Sequence, residues 1–506
     1  QQGVGGMNEF AALTPIITLT LAAVGVMLAE AFRPKGERMP MELLALIGFG
    51  GALVSSVFLW DHDAVGFRVI RADNFALFFN VVICIAGLLT VMLSSGAAER
   101  DNLPLGEYYT LMLFAAAGMV MMAGAVDLLV MFIALEVMSL GVYVLTGIRR
   151  DNAAGSEAAF KYFLLGAFSS AFFLYGIAFA FGIAGSPLPI ELSAAPTEMS
   201  AFNPVGTDLE RLREAIAAKA QEPTVLMILA MVFLLVGFAF KVSLVPFHMW
   251  TPDAYQGAPI LVTGFMSTGV KAAAFAAFAR VFLSAFEPMQ DYWIPVLSVV
   301  ALLTMILGTV AGVLQSSVKR MLAYSSIAHA GYILLGIIAV SDVGKASVLF
   351  YVLAYSVTNL GAFGVMAALS TSEREFDDIR EFNGLWHRRP GMAGLMTVFL
   401  LSLGGFPPLA GFVAKWYVFG AAMQTEHYAL AIVGVLSSVV AVFYYLRIVV
   451  AMYMTEERTG VHTAALPRVP GLALAGLALA LVGVLYLGIL PTWAIDAARA
   501  SIGTIF

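Results

Sequence analysis

Four ionisable side chains stand where the chain is otherwise apolar. Glu136 lies in MFIALEVMSL, Lys241 in GFAFKVSLVP, Lys271 in STGVKAAAF and Lys415 in GFVAKWYVF. A charge at the centre of a hydrocarbon layer costs about 2.5 to 3.5 kcal/mol, so the four together forfeit on the order of 10 kcal/mol. That is comparable to the net stability of a whole domain. A helix-clamping ion pair does not account for it, because a buried pair gains little over an apolar replacement. Proton transfer does. Desolvation favours the neutral amine and a nearby carboxylate favours the ammonium, so moving the counter-charge switches a lysine between holding and releasing its proton. Histidine relays protons near neutral pH with little perturbation, and His248 and His329 lie close enough in sequence to these sites to serve. His62, His387, His427 and His462 fall in loops or at helix ends and read as surface groups. The pattern predicts a path for protons or small cations, with no pocket for a large solute.

The elements that must position these groups are membrane helices. Of 506 residues 61% are apolar and 12% charged, against about half and a quarter in soluble domains, so a soluble globular protein is excluded. The formal charge of −6 gives no bias toward nucleic acid, and the single Cys84 excludes a disulfide framework or a cysteine metal site. Gln1 to Gly6 precede a plausible initiator, Met7, and receive no function. No Lys or Arg precedes Arg33, so the basic region of a signal peptide is missing.

Apolar windows of about 20 residues fall near 9–32, 41–60, 73–95, 107–125, 127–147, 157–184, 224–257, 259–285, 292–315, 321–340, 345–370, 391–423, 429–454 and 468–490. The expected fold is therefore an all-α polytopic membrane protein of about fourteen transmembrane helices. Lys271 follows Pro259 by twelve residues, roughly 18 Å of helix, and Glu136 follows Asp127 by nine, roughly 14 Å, so both sit near mid-membrane. Lys161, Arg280 and Arg447 lie near span ends, from which a long side chain reaches the headgroups.

The seventh and twelfth windows are too long for one straight span. Each contains proline, Pro246 in the first and Pro407 with Pro408 in the second, which breaks a helix by freeing a backbone carbonyl. Broken spans bearing ionisable groups are how transporters build midplane ion sites. The two breaks are five spans apart and so cross in opposite directions, which predicts inverted five-helix repeats. The expected division is an N-terminal three-helix segment (1–106), a first repeat (107–285, with an outer loop 185–222), a second inverted repeat (292–454) and a C-terminal helix (468–506).

Lys and Arg in alternate loops number fourteen on one side, including Arg149, Arg150, Lys319, Arg320 and Arg374, and seven on the other. The excess marks the cytoplasmic side and puts both termini outside. Within the outer loop, Thr207 and Glu210 read as a capping box ahead of Leu209, Leu212 and Ile216 at helical spacing, predicting a short amphipathic helix on the outer face. The loop from Thr371 to Pro390, rich in both charges, reads as a solvated cytoplasmic connector, with docking of a partner subunit as the alternative.

With these residues in hand, the chain resembles the antiporter-like proton-pumping membrane subunits of respiratory complex I (NADH:quinone oxidoreductase). The stretches that carry the resemblance are MFIALEVMSL around Glu136, KVSLVPFHMWTPDAYQGAP from Lys241, STGVKAAAF around Lys271, KRMLAYSSIAHAGY from Lys319 and GGFPPLAGFVAKW up to Lys415. They cover spans four to thirteen. Within the family the chain is most similar to the N type. Lysine at 415 argues against the M type, and the end after about fourteen spans argues against the L type, which carries a long lateral helix. The resemblance implies that Glu136 and Lys241 pair in an input half, that Lys271 links at the centre, and that Lys415 delivers protons to the outer face. It further implies that the chain carries no cofactor, with FMN, iron–sulfur clusters and quinone on partner subunits, and that it sits in a bacterial cytoplasmic (inner) membrane among the other membrane and peripheral subunits, binding no nucleic acid. A multisubunit sodium/proton antiporter or a membrane-bound hydrogenase shares much of this motif set and is the competing assignment. A passive helical scaffold is disfavoured by the central charges.

Overall fold

The computed structural model describes residues 9–34, 39–184, 206–372, 374–456 and 467–505. The chain begins with α1 (Thr14–Ala31) and α2 (Met41–Phe58), then a hairpin of β1 (Ala64–Gly66) and β2 (Ile70–Ala72), α3 (Asn74–Ser94) and the single turn α4 (Ala97–Arg100). Next come α5 (Leu105–Gly124), α6 (Leu128–Thr146), α7 (Ala153–Ala184), α8 (Leu209–Ala217), α9 (Val225–Lys241), α10 (Trp250–Gly257), α11 (Ile260–Phe265) and α12 (Lys271–Arg280). The remainder is α13 (Gln290–Val313), α14 (Val318–Ile338), α15 (Asp342–Leu369), α16 (Leu385–Arg388), α17 (Pro390–Gly404), α18 (Ala410–Gln424), α19 (Tyr428–Met454), α20 (Gly471–Ile489) and α21 (Thr492–Ile502).

The fold is all-α and polytopic. Among the described residues twelve helices are long and apolar enough to cross a membrane, and two shorter apolar helices, α9 and α17, stand where the seventh and twelfth windows begin. Helix starts follow local chemistry: Asp73, Asp127, Thr224, Ser317 and Ser341 each accept a backbone N–H of the first turn they precede, satisfying a donor that the helix itself cannot. The centre of the molecule is the stretch Ile260–Ala285 with α14 and α15, which is buried almost throughout, whereas α1, α2 and α20 present most of their surface outward.

Two helix pairs cross at glycine in the same way. A Cβ on Gly118 of α5 would lie 2.6 Å from the Met138 nitrogen of α6, and one on Gly141 would lie 3.1 Å from Ala115 Cβ. In α13 and α14, a Cβ on Gly308 would lie 2.7 Å from the Ala328 nitrogen and one on Gly331 2.7 Å from Met305 Cγ. The spacing of the second pair of glycines repeats that of the first, and a side chain at any of the four would push two backbones apart.

Several expectations change. The cap of α8 is Asp208, whose carboxylate accepts from the Arg211 N–H, while the Thr207 hydroxyl donates to Asp127 Oδ2 at 2.6 Å. The sequence pattern was one residue out of register because Thr207 is recruited across the fold. Leu209, Leu212 and Ile216 are buried as their spacing requires. Pro187, Pro189 and the rest of 185–205, residues 1–6 and His462 lie outside the described residues. Arg280 does not reach the headgroups: it is buried and bidentate to buried Asp73, both contacts at 2.8 Å. Arg447 instead donates to the Val313 and Gln315 carbonyls at the end of α13, and Lys161 is half-exposed, paired with Glu157 and Asp253. A helix of 32 residues does occur unbroken, as α7; its first turns carry exposed Ser156 and Glu157 beside a polar cavity. The C-terminal segment is two helices parted by Pro491.

Candidate functional site

Lys241 is the last residue of α9, where the helix stops eight residues short of Trp250. Pro246 lies in that interruption, and the polar groups it frees are met within the protein: the Val245 N–H donates to Thr304 Oγ1 at 3.0 Å and the Trp250 indole N–H donates to the Phe240 carbonyl at 2.9 Å. A break at membrane depth is tolerated on that condition. Lys241 is 2% exposed. Its Nζ donates to Ser139 Oγ at 2.8 Å and Tyr162 OH at 3.3 Å, and the rings of Tyr143 and Tyr162 lie within 5.6 and 5.4 Å, within cation–π range.

Glu136 stands one turn before Ser139 on α6, half-buried, and accepts from Ser170 Oγ of α7 at 2.5 Å. Glu136 and Lys241 are not in direct ion-pair contact. Ser139 and Tyr162 occupy the ammonium, and Ser170 occupies the carboxylate. A cavity of about 10 Å³ is lined by both Ser170 and Lys241, at the threshold of what admits one water.

Lys271 opens α12 directly after a wide π turn, Met266–Val270, a distortion that often marks functional sites in helices. It is 3% exposed, and its Nζ donates to the Ser326 carbonyl at 2.7 Å and to Ser326 Oγ at 2.6 Å. One turn along α14, His329 is 4% exposed and hydrogen-bonded through Nδ1 to Tyr351 OH at 2.7 Å and through Nε2 to Tyr445 OH at 3.3 Å. Tyr445 OH is shared with Ser325 Oγ. The Tyr332 ring lies edge-on to His329, centroids 5.6 Å apart, and also 5.4 Å from Lys415 Nζ.

Lys415 lies in α18, beyond the second interruption. Pro407 and Pro408 sit between α17 and α18. Lys415 is 5% exposed, and its Nζ donates to the Leu403 and Gly404 carbonyls at 2.9 and 3.0 Å and to Ser438 Oγ at 2.8 Å. Gly405 makes this approach possible: its φ is +87°, and a Cβ there would lie 2.9 Å from Lys415 Cδ. No ion pair joins any of the three lysines to a carboxylate among the described residues; each ammonium is held by neutral oxygens.

Of the groups singled out in the sequence, the structure gathers Lys271, His329 and Lys415 around α14, and Glu136 with Lys241 around α6 and α7. His248 stays apart, half-buried between α9 and α10 with a buried Nδ1 that makes no hydrogen bond. Sequence reasoning passed over the hydroxyls that hold the lysines. Ser139 and Ser326 were findable, each three residues from Glu136 or His329 on the same helix face, whereas Tyr162, Tyr445 and Ser438 come from distant segments and carry no local signal.

The loop after α15 is also more than a solvated connector. Arg149 pairs with Asp101 and, at 2.5 Å, with Glu375, and buried Lys319 pairs with the other Glu375 oxygen at 2.5 Å while donating to the Ala258 carbonyl at 2.7 Å. Burial raises the Glu375 pKa, but the Lys319 and Arg149 charges override it and hold the carboxyl below its ordinary value. No cluster of three His, Cys, Asp or Glu side chains fit to hold a metal occurs among the described residues.

Residues 125–441 match the family described as NADH:quinone oxidoreductase/Mrp antiporter, transmembrane. The chain is 38% identical, over 97% of each sequence, to NADH-quinone oxidoreductase subunit N of Trichlorobacter lovleyi. It is similar to a chain of respiratory complex I from Thermus thermophilus with bound aureothin, at 33% identity and TM-score 0.77, covering 96% of this chain and all of that one. A chain of the Mrp complex from Dietzia aligns at TM-score 0.79 over 99% of this chain and 98% of that one, with 22% identity, a likeness of fold alone.

Proposed function

Because the chain belongs to the NADH-quinone oxidoreductase subunit N family, we propose that it is a proton-translocating membrane subunit of complex I. In this reading Glu136 and Lys241 load protons from the cytoplasmic side, Lys271 and His329 pass them through the centre, and Lys415 releases them outward. The observation that carries the reading is the state of the three lysines, each buried and each held by neutral oxygens without a carboxylate in contact. A structural lysine at such depth would need a fixed counter-charge to offset its desolvation. A lysine held by hydroxyls and carbonyls can lose its proton and leave no buried charge behind.

The steps follow from geometry. With Glu136 ionised, a proton on Lys241 is stabilised by a carboxylate one turn beyond its Ser139 partner; when Glu136 is neutralised that stabilisation falls and Lys241 releases its proton inward. Ser326 holds the Lys271 ammonium, and the Ser325–Tyr445–His329–Tyr351 group starts on the same helix, its hydroxyls able to donate and accept in turn. The Tyr332 ring packs between the two sites, edge-on to His329 and 5.4 Å from Lys415 Nζ. Two inverted five-helix repeats, 107–285 and 292–454, supply the frame, supported by the matching glycine crossings of α5 with α6 and α13 with α14. The segment 1–106 and the helices after 468 flank them. Both termini face away from the cytoplasm of a bacterial inner membrane, supported by the excess of basic loop residues on the other side. Flavin, iron–sulfur and quinone chemistry belongs to partner subunits, and the redox energy reaches this chain through contacts with them.

The test is Lys241→Met in the intact complex reconstituted into vesicles. Proton pumping should be lost while NADH oxidation by the peripheral subunits and membrane insertion persist. Wild-type proton-to-electron ratios in that variant would refute the reading.

A further inference from the structure

We propose that Asp253 is the proton-collecting group of a cytoplasmic-side vestibule that feeds Lys241, an inference that rests on the translocation reading above. A cavity of about 700 Å³ opens where α7, α10, the segment after α6 and the loop after α15 meet. Five carboxylates (Asp101, Glu157, Asp253, Glu375 and Asp377) face it, against the bases Arg149, Lys161 and Arg374. A cleft of one predominant sign between low-dielectric walls raises the local concentration of counter-ions and their arrival rate. Asp101 and Glu375 are committed to the part-buried pairs with Arg149 and Lys319. Asp253 is committed only to partners that themselves meet solvent: Lys161 at 3.1 Å and Arg320 at 2.8 Å, with Glu157 on the far side of Lys161 at 2.7 Å.

Two independent features point from this cavity to Lys241. The first is proximity. Lys161, at the cavity wall, is followed directly by Tyr162, whose hydroxyl lies 3.3 Å from Lys241 Nζ. Asp253 lies one turn beyond Trp250, whose indole stacks on the Tyr162 ring at 4.2 Å and 4°. The vestibule and the lysine site are thus two sides of the same pair of helices, separated by one stacked aromatic pair. The second is position. Asp253 stands seven residues past Pro246, and Lys415 stands seven residues past Pro408. In inverted repeats these are equivalent stations facing opposite sides of the membrane. Lys415 is the last group before the outer face, and Asp253 is the first group met from the cytoplasm.

The step is a plain proton relay. Hydronium or a buffer acid transfers H⁺ to an Asp253 oxygen, forming O–H there as the donor's bond breaks; the donor's conjugate base returns to solution. The proton then leaves Asp253, which returns to the carboxylate, and ends as a new N–H on Lys241 Nζ, whose hydrogen-bond partner on this side is the Tyr162 hydroxyl. No electrons move.

The experiment uses the intact complex in vesicles with the initial rate of pumping as readout. Asp253→Asn should lower that rate about tenfold at mildly alkaline pH, the low end of what a focusing cleft contributes, with a smaller deficit as the medium is acidified. Imidazole on the cytoplasmic side should restore much of it, and Asp253→Glu should pump near normally. Ala154→Trp, which fills the cavity wall while leaving the Asp253 ion pairs in place, should also slow uptake, so a failure of Asp253→Asn to assemble does not end the test. Wild-type rates in Asp253→Asn or Ala154→Trp would overturn the proposal. So would a deficit that neither imidazole nor glutamate relieves, since that is the signature of a salt bridge that only holds helices together. Lys241→Met separates the two claims: its loss should resist imidazole, and normal pumping there would refute translocation through Lys241 itself, whatever Asp253→Asn shows.

Discussion

Lys241 and Lys415 each serve a broken helix, yet they are held in opposite ways. Lys241 precedes its break and reaches sideways to hydroxyls of α6 and α7, with an ionisable carboxylate, Glu136, one turn beyond the nearer hydroxyl. Lys415 follows its break and reaches back to the Leu403 and Gly404 carbonyls at the end of α17, where the negative end of the helix dipole favours a cation. Fixed dipoles cannot be switched off; a carboxylate can be protonated or moved. In the translocation reading proposed above, the first region is the one open to control and the second holds a standing affinity for a cation.

The sharpest way to break this comparison is to remove the control from one side only. Glu136→Gln should cut pumping about a hundredfold, the lower range for loss of a positioned proton-transfer group, and a near-normal rate in reconstituted vesicles would show that Lys241 is not governed by Glu136. On the other side, Gly405→Ala forces an L residue into a left-handed conformation, costing about 1 to 2 kcal/mol, and drives a methyl against the Lys415 stem. Pumping should fall about tenfold with the complex still assembled; an unchanged rate would mean the carbonyl cradle is dispensable. Ser170→Ala removes the single donor seen on Glu136, a bond worth about 0.5 to 1.5 kcal/mol, and should lower pumping about threefold; a loss as large as that of Glu136→Gln would make Ser170 a relay in its own right.

The smallest effect tests the frame around both regions. Glu375 has its pKa held down in the fold, so its contribution to stability is full above the ordinary carboxylate range and is lost as pH falls through the lowered folded value. Glu375→Gln should therefore melt earlier than the natural protein at pH 7, with the gap closing on strong acidification. A gap independent of pH would assign the loss to packing rather than charge.

Much of this was legible in the chain. Glu136, Lys241, Lys271 and Lys415 announce themselves because an ionisable group in an apolar run is expensive, and Pro246, Pro407 and Pro408 because a proline cannot continue a helix. The hydropathy windows matched helices because a membrane demands complete internal hydrogen bonding over a fixed thickness. What was not legible depends on tertiary neighbours. Arg280 looked like a snorkelling residue until Asp73, from a remote span, was found beneath it. The loop after α15 looked solvated because its charges alternate in sequence, while their partners Arg149 and Lys319 lie in other segments. Thr207 fits a cap by type, but its hydroxyl is spent on Asp127. His248 has the right chemistry at the right place in the sequence, and only the geometry shows that its Nδ1 is buried without a hydrogen bond.

The central claim is that the two lysine regions form one path in series. Its most direct test is a double-mutant cycle: proton-to-electron ratios of the reconstituted complex carrying Lys241→Met, Lys415→Met and both together. In a series path each single variant removes this chain's share of pumping and the double variant loses no more than either one. Losses that add, or a Lys415→Met variant that pumps as well as the natural protein, would contradict a single path through Lys241, Lys271 and Lys415.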